Sequence, residues 1–243
     1  SGAWPESRRR RVGIVTGAVT TWPRACEDGC DTDLSEATMG LYRERILPHL
    51  IDRACGGKDM MRWRGRVTDG LFGTVVEIGF GSGLNVAALP PEVERLYAVE
   101  PAELARRLAQ QRIADSPVEV EHIGLNGESI PLDDASCDGA LSTFTLCTIP
   151  GVEQALAELR RVLRPGGRFH FLEHGLSPDP SVAKWQRRIE PVNKRLTDGC
   201  HLTRTPAELV RAAGFEVEQV ESRYVKGPRP WSWFTEGVAV KPV

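Results

Sequence analysis

The stretch Val75-Val76-Glu77-Ile78-Gly79-Phe80-Gly81-Ser82-Gly83 constrains this chain more than any other. Three alternating glycines follow an apolar, β-branched run. That is a strand ending in a turn whose backbone a ligand can approach closely, because no Cβ stands in the way. A dinucleotide fingerprint needs G-x-G-x-x-G/A; counted from Gly79, its last position falls on Leu84. A P-loop needs Gly-Lys-Ser/Thr after the glycines, but Leu84 and Asn85 follow Gly83. Glu77 sets a negative charge where a bound phosphate would be repelled. The remaining pattern, acid-x-G-x-G-x-G, points to a cationic nucleoside ligand, with a ligand-free glycine turn as the competing reading. A second acid supports the first: Arg95-Leu96-Tyr97-Ala98-Val99-Glu100 reads as a short strand ending 21 residues after Gly79. An acid there can accept both hydroxyl hydrogens of a ribose.

From Gly73 onward, strand-like and helix-like segments alternate. Strands are expected over 74–78, 96–100, 118–122, 139–143, 168–173, 215–224 and 237–243, and helices over 84–89, 102–114, 152–163 and 206–213. Pro90-Pro91 and Pro165-Gly166-Gly167 stop two of the helices; Thr205 opens the last and Gly214 closes it. This order implies an α/β fold: a doubly wound, mostly parallel seven-stranded sheet covered on both faces, with ligands beyond the carboxyl ends of its strands.

Three segments decorate that domain, which is expected over 73–243. Residues 1–38 mix an arginine run (Arg8 to Arg11), a small-residue stretch and an acidic stretch, and read as a flexible extension; Ser1-Gly2 resembles a cleavage scar, and Met39 is a candidate start. Residues 39–72 form cap helices: Leu41, Ile46, Leu47, Leu50 and Ile51 share a helical face that Pro48 divides, and Met60, Met61 and Trp63 mark a second helix over 58–66. These helices cover the cofactor or form part of the substrate pocket. An insertion over 175–204 carries Val182, Trp185, Ile189, Val192 and Leu196 at steps of 3, 4, 3 and 4, one apolar stripe with basic residues on the other faces. It is either a lid helix packed on the core or a basic amphipathic helix making peripheral contact with a membrane, and Pro191 argues against a long straight helix.

Composition adds bounds. With 41% hydrophobic and 26% charged residues over 243, the chain is an ordinary globular one, and a net charge of −2 argues against a dedicated nucleic-acid binder. No apolar run is long enough to cross a bilayer. The six cysteines are scattered, with only Cys26 and Cys30 close together, so free thiols in a reducing cytoplasm are expected and no metal-ligand set stands out.

The motifs together resemble the class I S-adenosylmethionine-dependent methyltransferases. Glu77 to Gly83 is similar to their motif I, and Asn126-Gly127-Glu128-Ser129-Ile130-Pro131 to the loop flanking the adenine. Asp133-Asp134-Ala135-Ser136-Cys137-Asp138 resembles the lead-in to the fourth strand. Leu159-Arg160-Arg161-Val162-Leu163-Arg164-Pro165-Gly166-Gly167 is similar to the post-motif of the methyltransferase type 11 group. The resemblance implies S-adenosylmethionine as cofactor and S-adenosylhomocysteine as product. It places Glu77, Gly79, Gly81, Gly83, Glu100, Asn126, Gly127, Glu128, Thr143 and Phe144 at the cofactor, although Asn126 stands where many relatives have an acid. A narrower likeness, through Leu146-Cys147-Thr148-Ile149, Glu173-His174 and Asp198-Gly199-Cys200-His201-Leu202-Thr203-Arg204, is to the branch containing animal small-molecule thiol S-methyltransferases. The apolar N-terminal anchor of the animal enzymes has no match here. Bacterial relatives include methyltransferases of phosphatidylethanolamine and of quinone precursors. A small lipophilic thiol is therefore the leading acceptor; a lipid amine, a quinol precursor and a non-catalytic cofactor-binding module are the alternatives.

Methyl transfer is an in-line displacement that needs alignment and exclusion of water. A thiol acceptor must also lose its proton, since only a few per cent is thiolate at neutral pH. His174 is the first candidate base, with a structural histidine under the lid as the alternative. His201 is the second, oriented by Asp198 or else serving its turn. Cys147, Trp185, Trp231 and Trp233 are the expected pocket side chains; the late aromatics, with Tyr224 and Phe234, line an acceptor pocket or stiffen a proline-rich loop.

Overall fold

The computed structural model describes residues 40–42 and 45–243. The extension, the arginine run, Cys26, Cys30 and Met39 lie outside the described residues.

The elements are α1 (Leu47–Cys55), α2 (Lys58–Thr68), β1 (Gly73–Ile78), β2 (Val93–Val99), α3 (Glu103–Ala114), β3 (Glu119–Gly124), β4 (Cys137–Thr143), α4 (Val152–Val162), β5 (Leu163–His174), α5 (Pro180–Leu196), α6 (Pro206–Ala212), β6 (Glu216–Tyr224) and β7 (Trp233–Val240). The seven strands form one sheet in the order β3-β2-β1-β4-β5-β7-β6. Only β7 runs antiparallel to its neighbours, β5 and β6. The chain winds outward from β1 to β3, then returns to place β4 on the other side of β1. The reversal leaves a crevice at the carboxyl ends of β1 and β4, where doubly wound sheets bind ligands.

Strand period explains the two cores. Val76 and Ile78 of β1, with Phe169 and Phe171 of β5, face α4 and α6, whose Leu156, Leu159 and Val210 complete that layer. Their alternates Val75, Leu141 and Leu172 face the other way, against Val67 of α2 and Ala109 of α3. Successive side chains point to opposite faces, so a central parallel strand must be apolar on both. No helix among the described residues is long and apolar enough to cross a membrane.

Several expected bounds are corrected. The helix expected over 84–89 is a single 3₁₀ turn, Val86–Ala88, because the proline pair follows too soon for more. Pro165-Gly166-Gly167 lies inside β5 and not in a loop, with the register against β4 shifting between Cys137 and Gly139. The last strand begins at Trp233, where it pairs with Tyr224, four residues before the expected 237. Pro48 does divide the first helical segment, by taking a first-turn position of α1 where its missing N–H costs nothing.

The lid departs most. It is one helix of 17 residues that continues through Pro191. Its apolar stripe largely faces outward: Trp185, Val192 and Leu196 are 58%, 61% and 51% exposed. Two amides dock the helix instead. Gln186 accepts from Ser177 N–H and donates to the carbonyls of Gly175 and Pro230. Asn193 donates to the Cys200 carbonyl and accepts from Trp231 Nε1.

Candidate functional site

A cavity of about 1020 Å³ opens at the carboxyl ends of β1, β2 and β4, roofed by α1 and α5. This is at the upper end of the range usual for ligand pockets, roughly 300–1,000 Å³.

Its floor is the glycine turn. Gly79, Gly81 and Gly83 have φ of 67°, 58° and 73°, a region in which only glycine rests without strain. A Cβ on Gly79 would overlap the Thr145 hydroxyl, whereas one on Gly81 would meet only the Gly79 carbonyl, at 3.9 Å. Gly81 thus leaves open space on the cavity floor. Gly83 serves packing, since a Cβ there would press on Phe80 and Ala109 at 3.0 and 3.2 Å, and it does not border the cavity. Glu100, just past β2, has its two oxygens held by the Gly81 and Ala102 N–H groups at 2.7 and 2.8 Å. Burial raises its pKa against the pull of those amides. Each oxygen keeps lone pairs for further donors.

Behind the floor lies a buried polar network that sequence reading only half found. Arg64, reaching in from α2, donates through Nη1 to Asn85 Oδ1 at 2.7 Å and to Thr143 Oγ1 at 3.0 Å. Asn85 donates in turn to Glu77 Oε1 at 2.6 Å and to Thr143 Oγ1 at 3.0 Å. Glu77 Oε2 is buried without a protein partner. Burial pushes the Glu77 carboxyl up to about 8, against the lowering by Asn85 and Arg64. Arg64 and Asn85 were not anticipated. Asn85 follows the glycines closely enough to have been suspected, but nothing local marks Arg64, which the tertiary fold delivers.

Raising a carboxyl pKa from 4.5 to about 8 means that the native state keeps a proton which the unfolded chain releases. The stability Glu77 contributes is complete below about pH 4.5 and is lost as pH rises toward 8. Glu77→Gln cannot ionise. The unliganded variant is expected to gain on the wild type across that window, by a few kcal/mol on the order of one per pKa unit. Thermal unfolding at a series of pH values reads this, and parallel pH profiles for the two proteins would refute it.

Asn126, Gly127 and Glu128, expected beside the adenine, all border the cavity. Asn126 Oδ1 accepts from Glu128 N–H, and Glu128 Oε1 accepts from Gly151 N–H, both at 2.8 Å. Thr143 and Phe144 close the far end. Phe144 sits at φ 57°, a costly conformation for an aromatic residue. The buried Glu173 carboxylate holds the segment that follows: Oε1 accepts from Ser142 Oγ and from the N–H groups of Thr145 and Leu146, and Oε2 from Cys147 N–H. The Phe144 ring lies edge-on to Phe234, at 5.1 Å between centroids.

Aliphatic groups form the mouth: Leu47, Pro48 and Ile51 from the cap, Leu84, Leu125 and Ile149 from the loops. The lid contributes Arg187, Glu190 and Lys194, with Asp198 beyond its end. His201 Nδ1 lies 3.2 Å from Glu190 Oε1. Burial, with Arg204 and Lys194 nearby, lowers the His201 pKa, so its imidazole is neutral at pH 7. Glu190 Oε2 is buried and has no protein partner.

Other expected pocket residues lie elsewhere. His174 is behind Phe144 and does not border the cavity; its Nε2 is 2.9 Å from Cys200 Sγ. Burial works to lower its pKa, but Cys200 and Glu173 carry it upward. Cys147 is buried behind the wall. Trp185 faces outward beneath Arg188, Trp231 serves Asn193, and Trp233 packs on Tyr224 at 4.9 Å. Of the two readings of the late aromatics, the tryptophans follow the second: they lie outside the cavity and brace the lid and the β6–β7 hairpin, and the cavity mouth carries aliphatic side chains in their place.

These features fit S-adenosylmethionine: a carboxylate fixed by two amides with lone pairs to spare, open space above Gly81, and a buried arginine at the cavity wall for the carboxylate of the amino-acid end; Glu77 lies behind that wall and does not itself border the cavity. The comparisons agree. The profile described as a methyltransferase domain matches residues 76–171. Thiol S-methyltransferase TMT1B from Rattus norvegicus is 34% identical over 168 residues, 68% of this chain and 67% of that protein. Demethylmenaquinone methyltransferase from Clavibacter sepedonicus is 29% identical over 110 residues, 45% of this chain and 44% of that one. Among solved structures, a methyltransferase from Bacillus halodurans C-125 superposes with a TM-score of 0.62 at 14% identity, covering 77% of this chain and 100% of its own, which bears on the fold alone. The chain belongs to the class I S-adenosylmethionine-dependent methyltransferases of the type 11 group, and S-adenosylmethionine is its cofactor.

Proposed function

We propose that this methyltransferase acts on a small, lipophilic thiol. The observation that carries the reading is the Glu190–His201 pair, which the lid sets over a mouth whose cap and loop side chains are aliphatic. Similarity to a thiol S-methyltransferase over two thirds of that protein supports it. In the same reading residues 39–72 are the cap, 73–243 the catalytic domain and 175–204 its lid.

When bound, S-adenosylmethionine supplies a methyl group already activated by its positive sulfur. The chain's own residues have four tasks. Glu100 accepts hydrogens from the ribose hydroxyls. Arg64, which borders the cavity, meets the carboxylate of the amino-acid end, and Glu77 holds Asn85 in place behind it. The aliphatic mouth and the lid exclude water and hold the acceptor apolar side down. Glu190, backed by the neutral His201, takes the proton from the acceptor sulfur.

The test is S-adenosylhomocysteine release against lipophilic thiols, quinols and phosphatidylethanolamine. Turnover of thiols is the expected result; turnover of quinols or the lipid amine alone would overturn it. Glu190→Gln is expected to lower kcat/KM for thiols about 100-fold at pH 7. The defect should shrink as pH rises past the thiol pKa, about 8.5, where the acceptor arrives as thiolate. A loss that stays constant with pH would remove Glu190 from proton transfer.

A further inference from the structure

Cys147 in the loop after β4, His174 at the end of β5 and Cys200 in the turn after α5 meet behind the cavity wall. Their ligating atoms all lie within 4.8 Å of one another. We propose that this cluster is a zinc site that fastens the end of the lid to the sheet.

The donor set argues for zinc. Two thiols and an imidazole, with no carboxylate, suit a borderline-soft ion such as zinc and not magnesium or calcium. Zinc–sulfur and zinc–nitrogen bonds of about 2.3 and 2.0 Å put tetrahedral ligand atoms about 3.5–3.8 Å apart. No two of the three ligand atoms are more than 4.8 Å apart, and His174 Nε2 and Cys200 Sγ, at 2.9 Å, need only part slightly to admit the ion. Both thiols are nearly dry, Cys147 at 1% and Cys200 at 6% exposure.

The backbone around the cluster is already fixed. The Cys147 carbonyl accepts from His201 N–H at 2.7 Å, the Cys147 N–H donates to Glu173, and the Cys200 carbonyl accepts from Asn193. Both cysteines bind the ion as thiolates, so binding releases protons to solvent and affinity rises with pH. Three protein ligands leave one coordination position for water. The inference does not rest on a thiol acceptor and stands for any acceptor class.

The experiment uses the full chain, purified under reducing conditions without chelator. Elemental analysis is expected to find about one zinc per chain. Replacing the zinc with cobalt(II) should give intense thiolate-to-cobalt absorption in the near ultraviolet, which glycine or carboxylate binding does not produce. Cys200→Ser and His174→Asn should lose it, while the double variant Cys26→Ser, Cys30→Ser keeps it. The wild-type cobalt titration decides the matter even where a variant fails to fold. No bands with folded wild type, bands that survive in both cluster variants, or a Cys147–Cys200 disulfide in the reduced preparation would each overturn the proposal.

Discussion

Glu173→Ala is expected to lose about 3–5 kcal/mol of stability, equivalent to a fall in melting midpoint on the order of 10 °C for a chain of this size. The carboxylate is fully buried and accepts four hydrogen bonds, one from Ser142 Oγ and three from consecutive N–H groups, Thr145, Leu146 and Cys147. Alanine would strand those donors in the interior, where each unmet group costs about 1–3 kcal/mol, less whatever water enters. The donors also belong to the segment next to Phe144, whose backbone lies in the left-handed region at φ 57°. With its anchor gone, that segment has reason to relax, and the far wall of the cofactor cavity goes with it. Glu173→Gln keeps one acceptor oxygen but turns an NH₂ group toward an N–H, so an intermediate loss is expected. Urea and thermal unfolding of the three proteins measure the series. An alanine variant within about 1 kcal/mol of wild type would show that this carboxylate is not what holds the segment.

Much of this was legible because it is written in local period and glycine placement. Alternating strand and helix gave the doubly wound sheet, and the spacing from Gly79 to Glu100 gave two walls of one cavity. The failures have a common cause in tertiary partners that leave no local trace. The stripe Val182, Trp185, Ile189, Val192, Leu196 has the period of a buried face, yet Gln186 and Asn193 dock the lid, because two well-bonded amides can fix a helix as firmly as an apolar seam. Gly83 looks like its neighbours in the motif but is small for the sake of Phe80 and Ala109. Arg64 arrives from another helix, and Glu173 reads as a charged strand end until the loop amides converge on it. Likewise Cys147, His174 and Cys200 are spaced too widely for a metal motif to be recognised; the fold alone brings them together.

The second large effect separates binding from folding. Glu100→Ala is expected to weaken S-adenosylmethionine binding by roughly 100- to 1,000-fold. Hydrogen bonds to a charged acceptor contribute about 1.5–3 kcal/mol each, the ribose offers two hydroxyl donors, and each 1.4 kcal/mol is tenfold in Kd. The variant should still fold. Glu100 borders the cavity, so water can replace its carboxylate on the Gly81 and Ala102 N–H groups, at 2.7 and 2.8 Å from it now. Ligand linkage turns this contrast into one measurement: cofactor at 100 times the wild-type Kd stabilises the wild type by about 2.7 kcal/mol, and a protein bound 100-fold more weakly by only about 0.4 kcal/mol. Melting with and without cofactor is therefore expected to show similar bare midpoints for the two proteins and a shift only in the wild type. Wild-type affinity in the variant, by calorimetry, would remove Glu100 from the ribose. A variant that already melts much lower without ligand would instead show that the carboxylate serves the glycine turn more than the nucleoside.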